Sequence, residues 1–145
     1  MIRSQLKDAL GRGFNVFHRT VFERSNGRLM GNLIGMPVVL LETTGRKTGK
    51  KRRSMLTSPL RLDGESFVLV ASWGGDDRHP KWFLNLKANP DVVVTMEGRK
   101  RKMRARQATP EERAELWPKV TSRFKNYGGY QTKTDREIPL VIVEP

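Results

Sequence analysis

The sequence predicts an α+β domain, a small and mainly antiparallel β-barrel, from three observations. Six short β-type runs follow one another from residue 38 to the end. Only two helical stretches interrupt them. No helical crossover separates most successive strands, as a parallel sheet would require. With 145 residues the chain can bury one core and is too short for two ordinary domains, so residues 1–145 are read as one domain.

The opening segment, residues 1–30, places Ile2, Leu6, Leu10, Phe14, Phe17 and Val21 three or four apart. That spacing is an apolar helical stripe, with Arg3, Lys7, Arg12 and Arg19 on other faces. Such an amphipathic helix either packs on the core or lies on a membrane surface. From Pro37 the pattern changes to strands at Val38–Thr43, Arg53–Leu62, Ser66–Ser72, Val92–Met96, Lys100–Ala108 and Leu140–Val143. Asp63-Gly64 and Glu97-Gly98 are turn signals between neighbours. A helix over Pro80–Ala88 has Pro80 at its start and Asn89-Pro90 at its close, with Trp82, Phe83 and Leu86 as its apolar face. A second starts at Thr109-Pro110-Glu111-Glu112, where Thr109 and Glu112 complete a capping box, and continues through Leu116, Trp117, Val120 and Phe124. Gly128-Gly129 ends the helical run before a loop holding Tyr127 and Tyr130.

Composition narrows the chemistry. There is no cysteine and the only histidines are His18 and His79. Thiol nucleophiles, disulfides and Cys- or His-rich metal centres are thereby excluded, and no metal site is expected. No nucleophile-elbow pattern accompanies His79, which reads as a residue at a helix entry rather than a catalytic base. No apolar run reaches the ~20 residues of a membrane span, and the first residues lack a signal-peptide pattern. A non-secreted, cytoplasmic chain is expected.

The net charge of +13 draws anions of every kind. Its densest part lies between strands: from Arg46 to Arg53 six of eight residues are cationic, with Gly45 and Gly49 allowing close backbone approach to a ligand. This is an anion cradle, a nucleic-acid contact or a solvated hairpin tip, but not a phosphate-binding P-loop, whose glycines stand further apart. A second basic run, Arg99–Arg106, alternates: Lys100, Lys102, Arg104 and Arg106 share one strand face, and Arg101, Met103 and Ala105 the other. The turn Ser72-Trp73-Gly74-Gly75 follows a buried strand and either borders a pocket for a planar ring or is an ordinary glycine loop. Tyr127 and Tyr130 either face a ligand or cover the core.

In order along the chain, Thr43-Thr44-Gly45-Arg46-Lys47-Thr48-Gly49 with Arg52, Ala71-Ser72 with Gly74-Gly75, His79-Pro80-Lys81-Trp82 with Asn85–Pro90, and Thr134–Pro139 resemble the deazaflavin-dependent nitroreductases and F420H2-dependent quinone reductases. The resemblance implies a flavin-reductase-like split β-barrel and coenzyme F420 as cofactor, with FMN less suited. It implies that Arg46, Lys47, Lys50 and Arg52 hold the cofactor's phosphate and glutamate tail, with Ser54 beside them. Ser72, Trp73, Gly74 and Trp82 would border the deazaflavin, and Tyr127 and Tyr130 the substrate side, as candidate catalytic groups. The implied reaction is hydride transfer to a quinone-like or nitroaromatic acceptor, with no nucleic-acid partner and with contact at the inner face of the cell membrane as an option. The competing readings are a non-catalytic nucleic-acid-binding barrel and an F420 carrier. Trp73 stands where relatives often carry Lys, Phe124 where some carry Tyr, and Lys51 and Met55 where Pro is common.

Overall fold

Strand residues alternate between two faces, so a strand with one covered face alternates in polarity and one covered on both faces is apolar throughout. Both kinds occur in the computed structural model, which describes residues 32–33 and 36–145. The helix expected over residues 1–30 lies outside the described residues.

Among the described residues the elements run β1 (Asn32–Leu33), β2 (Met36–Thr44), β3 (Lys51–Thr57), β4 (Leu60–Arg61), β5 (Phe67–Val70), a 3-10 turn (Trp73–Gly75), α1 (Lys81–Ala88), β6 (Asp91–Met96), β7 (Arg99–Gln107), α2 (Pro110–Arg123), α3 (Lys125–Thr132) and β8 (Leu140–Glu144). Every strand pairing is antiparallel. The sheet order is β1-β2-β6-β7-β8-β5-β4, with β3 also on β2.

The run 53–62, expected as one strand, is two. β3 pairs with β2 and β4 with β5, so the chain changes partner at Ser58-Pro59. Pro59 has no N–H for a ladder, which favours a break there. Ser58 bridges the seam instead: its N–H donates to Pro37 O at 3.0 Å and its hydroxyl to Val68 O at 2.7 Å. This is how the curled sheet closes toward a split barrel.

Two apolar layers hold it. Inside, Val39, Leu41, Phe67, Leu69, Val141 and Val143 pack with Trp82, Phe83 and Leu86 of α1. Outside, Val68, Val70, Leu140 and Ile142 lie under Leu116, Val120 and Tyr127 of α2 and α3. β5 and β8 therefore face core on both sides, which explains their unbroken apolar sequences.

The capping box forms as expected: Glu112 N–H donates to Thr109 Oγ1 at 3.2 Å and Thr109 N–H to Glu112 Oε1 at 2.9 Å. Arg106 clasps the same carboxylate at 2.7 and 3.0 Å and holds its pKa down to about 2.

Gly128-Gly129 does not end the helical run. The break comes earlier, where Phe124 takes an extended conformation (φ −134°, ψ 92°), and α3 then runs through both glycines. Tyr127 anchors this turn-rich helix by burial, which overrides the weak glycine propensity. A Cβ on Gly129 meets nothing within 4 Å. Gly129→Ala is therefore expected to stabilise the fold by about 0.5–1 kcal/mol, read as a rise in the thermal midpoint; an unchanged or lowered midpoint would show that α3 needs its glycine.

Candidate functional site

The cation loop is shaped by its own backbone. Gly45 N–H donates to Lys50 O at 2.7 Å and Gly49 N–H to Gly45 O at 2.8 Å, while Lys50 N–H reaches Thr48 Oγ1 at 3.3 Å. Gly49 has φ +73°. A Cβ on Gly45 would stand 3.1 Å from Lys50 O. Both glycines therefore serve turn closure rather than approach to a ligand, and these amides are already used. The charge available to an anion at this loop is that of its side chains.

Register sorts those side chains, because directly paired residues share a face. Thr43 pairs with Arg52 and Leu41 with Ser54, whereas Thr44 pairs with Lys51 and Glu42 with Arg53. Thr43 and Leu41 are buried in the interior, so Arg52 and Ser54 belong to the inner face. Lys51 and Arg53 belong to the outer one, where Lys51 Nζ donates to Thr44 Oγ1 at 3.0 Å and Arg53 is bonded to Glu42 at 3.2 Å.

Ion pairing separates them further. Along the barrel the arginines have acidic partners: Arg61 with Glu97, Arg99 and Arg101 with Glu65, Arg104 with Asp91, and Arg106 with Glu112 and Glu144. Arg46, Lys47, Lys50 and Arg52 have no acidic partner among the described residues, and all four are exposed. Four unneutralised cations on one hairpin favour a multiply charged anion. The β7 run, by contrast, lies between β6 and β8 and has all four of its arginines in ion pairs rather than forming an open track.

One helix ties the loop to the interior. Asn85 of α1, 6% exposed, accepts from Arg46 N–H at 3.1 Å and donates to Thr43 Oγ1 at 3.2 Å. Trp82, one turn earlier, is buried and meets Phe83 edge-on at 6.5 Å.

Past β5 the chain makes a tight left-handed turn. Trp73, Gly74 and Gly75 have φ of +44°, +62° and +86°, a conformation costly for Trp73. Gly75 N–H donates to Ser72 O at 3.0 Å and Asp76 N–H to Trp73 O at 3.2 Å. The Trp73 ring lies under Arg78, 4.6 Å away. Ser72 is only 7% exposed, and its hydroxyl has no hydrogen-bond partner among the described residues. A buried hydroxyl without a protein partner has its hydrogen-bonding capacity left for a ligand or a water molecule.

Arg136 staples this turn to the C-terminal segment, donating to Asp76 O at 2.9 Å, Ala71 O at 3.1 Å and Ser72 O at 2.9 Å, and meeting His79 Nδ1 at 3.2 Å. Burial, then Arg136 and Lys87, push the His79 pKa down, so the ring stays neutral and accepts. Sequence reasoning assigned no role to Asn85 or Arg136, although both lie in the motifs that carried the resemblance.

The tyrosines sit on α3, not in a loop. Tyr127 is buried, with its hydroxyl 3.4 Å from both Thr57 Oγ1 and Met36 Sδ. Desolvation raises its pKa. Tyr130 is half-buried, stacks edge-on to Tyr127 at 5.9 Å, and carries Lys133 at 5.7 Å from its ring. Its backbone closely abuts Gly75, which brings α3 to the turn that holds Ser72 and Gly74. A groove of about 410 Å³ between the β4–β5 hairpin and α2, lined by Leu60, Leu62, Leu116 and Ile142 with charges around them, contains none of the expected site residues.

Comparison with known proteins identifies relatives in sequence and in fold. The sequence model of a family described as F420H(2)-dependent quinone reductase matches residues 16–145. A protein of Mycobacterium tuberculosis strain H37Rv named F420H(2)-dependent quinone reductase is 38% identical over 130 residues, 87% of this chain and 86% of the relative. Among solved structures, an F420-H2 dependent reductase superposes with a TM-score of 0.65 at 43% identity, covering 74% of this chain and 94% of that one. A chain described as a domain-swapped dimer gives 0.67 at 39% identity, covering 89% and 96%.

Proposed function

The chain belongs to the F420H(2)-dependent quinone reductase family, an oxidoreductase family with coenzyme F420 as cofactor, and we propose that it reduces a planar, electron-poor acceptor, a quinone, by hydride transfer. When bound, the reduced deazaflavin supplies the hydride, so few catalytic side chains are required of the protein.

The observation that carries this reading is the set of unpaired cations. Arg46, Lys47, Lys50 and Arg52 bind the cofactor's phosphate and carboxylate tail through charge-assisted hydrogen bonds, with Ser54 on the same inner face as Arg52. Ser72 offers its unpartnered hydroxyl to the ring system, bordered by Trp73, Gly74 and Trp82. Tyr130, the more exposed of the two tyrosines, orients the acceptor and donates a proton to its reduced oxygen. Tyr127 backs it from the core, its phenol kept protonated by burial. A lipid-soluble quinone suits the basic apolar stripe of residues 1–30, and Phe124, standing where some relatives carry a tyrosine, disfavours nitro compounds as the main substrate.

Titration of the protein with F420 and with FMN, followed by fluorescence, tests the cradle. F420 is expected to bind in preference, and Lys47→Glu to weaken it about 10–100-fold without moving the thermal midpoint, since Lys47 is exposed and unpaired. The assignment fails if F420 shows no saturable binding or if charge reversal leaves its affinity unchanged. Turnover with a quinone separates a reductase from a carrier.

A further inference from the structure

We propose that Asn85 is a positioning residue that makes the protein select deazaflavins bearing an anionic tail, by holding the cation loop at a set distance from the helix that carries Trp82. The inference rests on the reading of the loop as a tail site.

The hydrogen bonds within the loop fix its shape but not its direction. They join Gly45, Gly49, Thr48 and Lys50 to one another, so they do not tie the hairpin tip to the rest of the barrel. Only one described side chain outside the hairpin bonds to the loop backbone, and that is Asn85 through Arg46 N–H. Its other end, Nδ2, grips Thr43, which is 1% exposed and directly opposite Arg52 in the β2–β3 register. One amide therefore locates the backbone of one tail cation and the strand position facing another.

The helix beneath is fixed. Trp82, Phe83, Asn85 and Leu86 are the buried positions of α1, and three of the four are apolar. A carboxamide at such a position costs free energy unless both of its ends are bonded, and here both are. Leucine has the same forked side chain, with bulkier ends and no polar group to satisfy. Trp82 and Asn85 are one turn apart on this face, so the ring side and the tail side of the proposed cofactor site are measured off the same eight-residue helix.

Two isosteric changes test this, each read by fluorescence titration with F420 and with the same deazaflavin lacking phosphate and glutamates. Wild-type protein is expected to bind F420 the more tightly. Asn85→Leu should weaken F420 about tenfold while leaving the tail-less compound unchanged, so that the ratio of the two affinities collapses. Thr43→Val, which removes only the Nδ2 contact and keeps the Arg46 bond, should lower the ratio by a smaller factor, and it remains informative if Asn85→Leu fails to fold. Equal losses for both compounds would mean that Asn85 is merely structural, and no loss for either would mean that the loop needs no external anchor; either overturns the inference and leaves the tail site standing. A wild-type protein that binds both compounds equally removes the tail site itself, and this inference with it.

Discussion

Arg136→Met is expected to lower the thermal midpoint by on the order of 10 °C and to weaken F420 binding with it. The guanidinium donates to the carbonyls of Asp76, Ala71 and Ser72 and to the His79 ring. Burial pushes its pKa down, opposed by Asp76 and Asp77. Methionine fills similar volume and offers none of these donors. Each acceptor left half-buried without a partner costs about 1 kcal/mol or more, which sums to about 3 kcal/mol and, at about 2–4 °C per kcal/mol for a chain near this size, to the shift stated. Arg136→Lys should recover only part of it, because one ammonium cannot reach diverging carbonyls that a planar fork spans. Since Ala71 and Ser72 lead into the left-handed turn, its loosening should also blur the site for the ring. Circular-dichroism melts of the three proteins decide it; a shift below about 2 °C for the methionine variant, using the same conversion, would show that the staple is dispensable.

Gly75→Ala is expected to be comparably harmful, for a different reason, and Gly49→Ala provides its control. Both glycines have positive φ, +86° and +73°, so alanine at either meets a left-handed penalty of about 1–2 kcal/mol. They differ in surroundings. A Cβ at Gly49 finds open space, whereas one at Gly75 lies 2.7 Å from Tyr130 O and 3.0 Å from Lys133 Cβ. The first of these is backbone, so α3 must move bodily to relieve it. The loss at Gly75 should therefore exceed that at Gly49 by about 1–3 kcal/mol, the usual cost of overpacking. Because the displaced helix carries Tyr130, turnover with a quinone should fall more than F420 affinity does. Equal melts for the two alanine variants would refute the close approach of α3 to the turn.

The elements that short stretches of sequence announce are those that depend on neighbours in the chain. Short β-type runs placed β2, β6, β7 and β8 within two residues of where they stand, and Thr109 with Glu112 marked the start of α2, because a capping box is chemistry between residues three apart. Asp63-Gly64 and Glu97-Gly98 marked turns, and Glu97 and Gly98 indeed both take positive φ. Local signals also misled in two places. The break in 53–62 turned on Pro59, whose missing donor was visible in the sequence but was outweighed by the apolar pattern around it. The helix through Gly128-Gly129 depended on Tyr127 finding Met36 and Thr57, 91 and 70 residues away, and no local propensity encodes that burial.

By itself, then, the sequence determined the strand-rich antiparallel architecture, the two helix starts, the absence of thiol chemistry, and the location of a dense cation loop whose motifs resemble those of F420-dependent reductases. Which of those cations are free was decided by tertiary structure. Pairing of β3 with β2 set which side chains turn inward, and acids from other segments neutralised Arg61 and the arginines of β7 while leaving Arg46, Lys47, Lys50 and Arg52 without an acidic partner among the described residues. The anchors of the site were likewise out of reach of sequence, since Asn85 meets partners 39 and 42 residues away and Arg136 meets partners 57 to 65 residues away. Composition and periodicity describe residues in their own segment, and only the closed sheet determines which segments a side chain can reach.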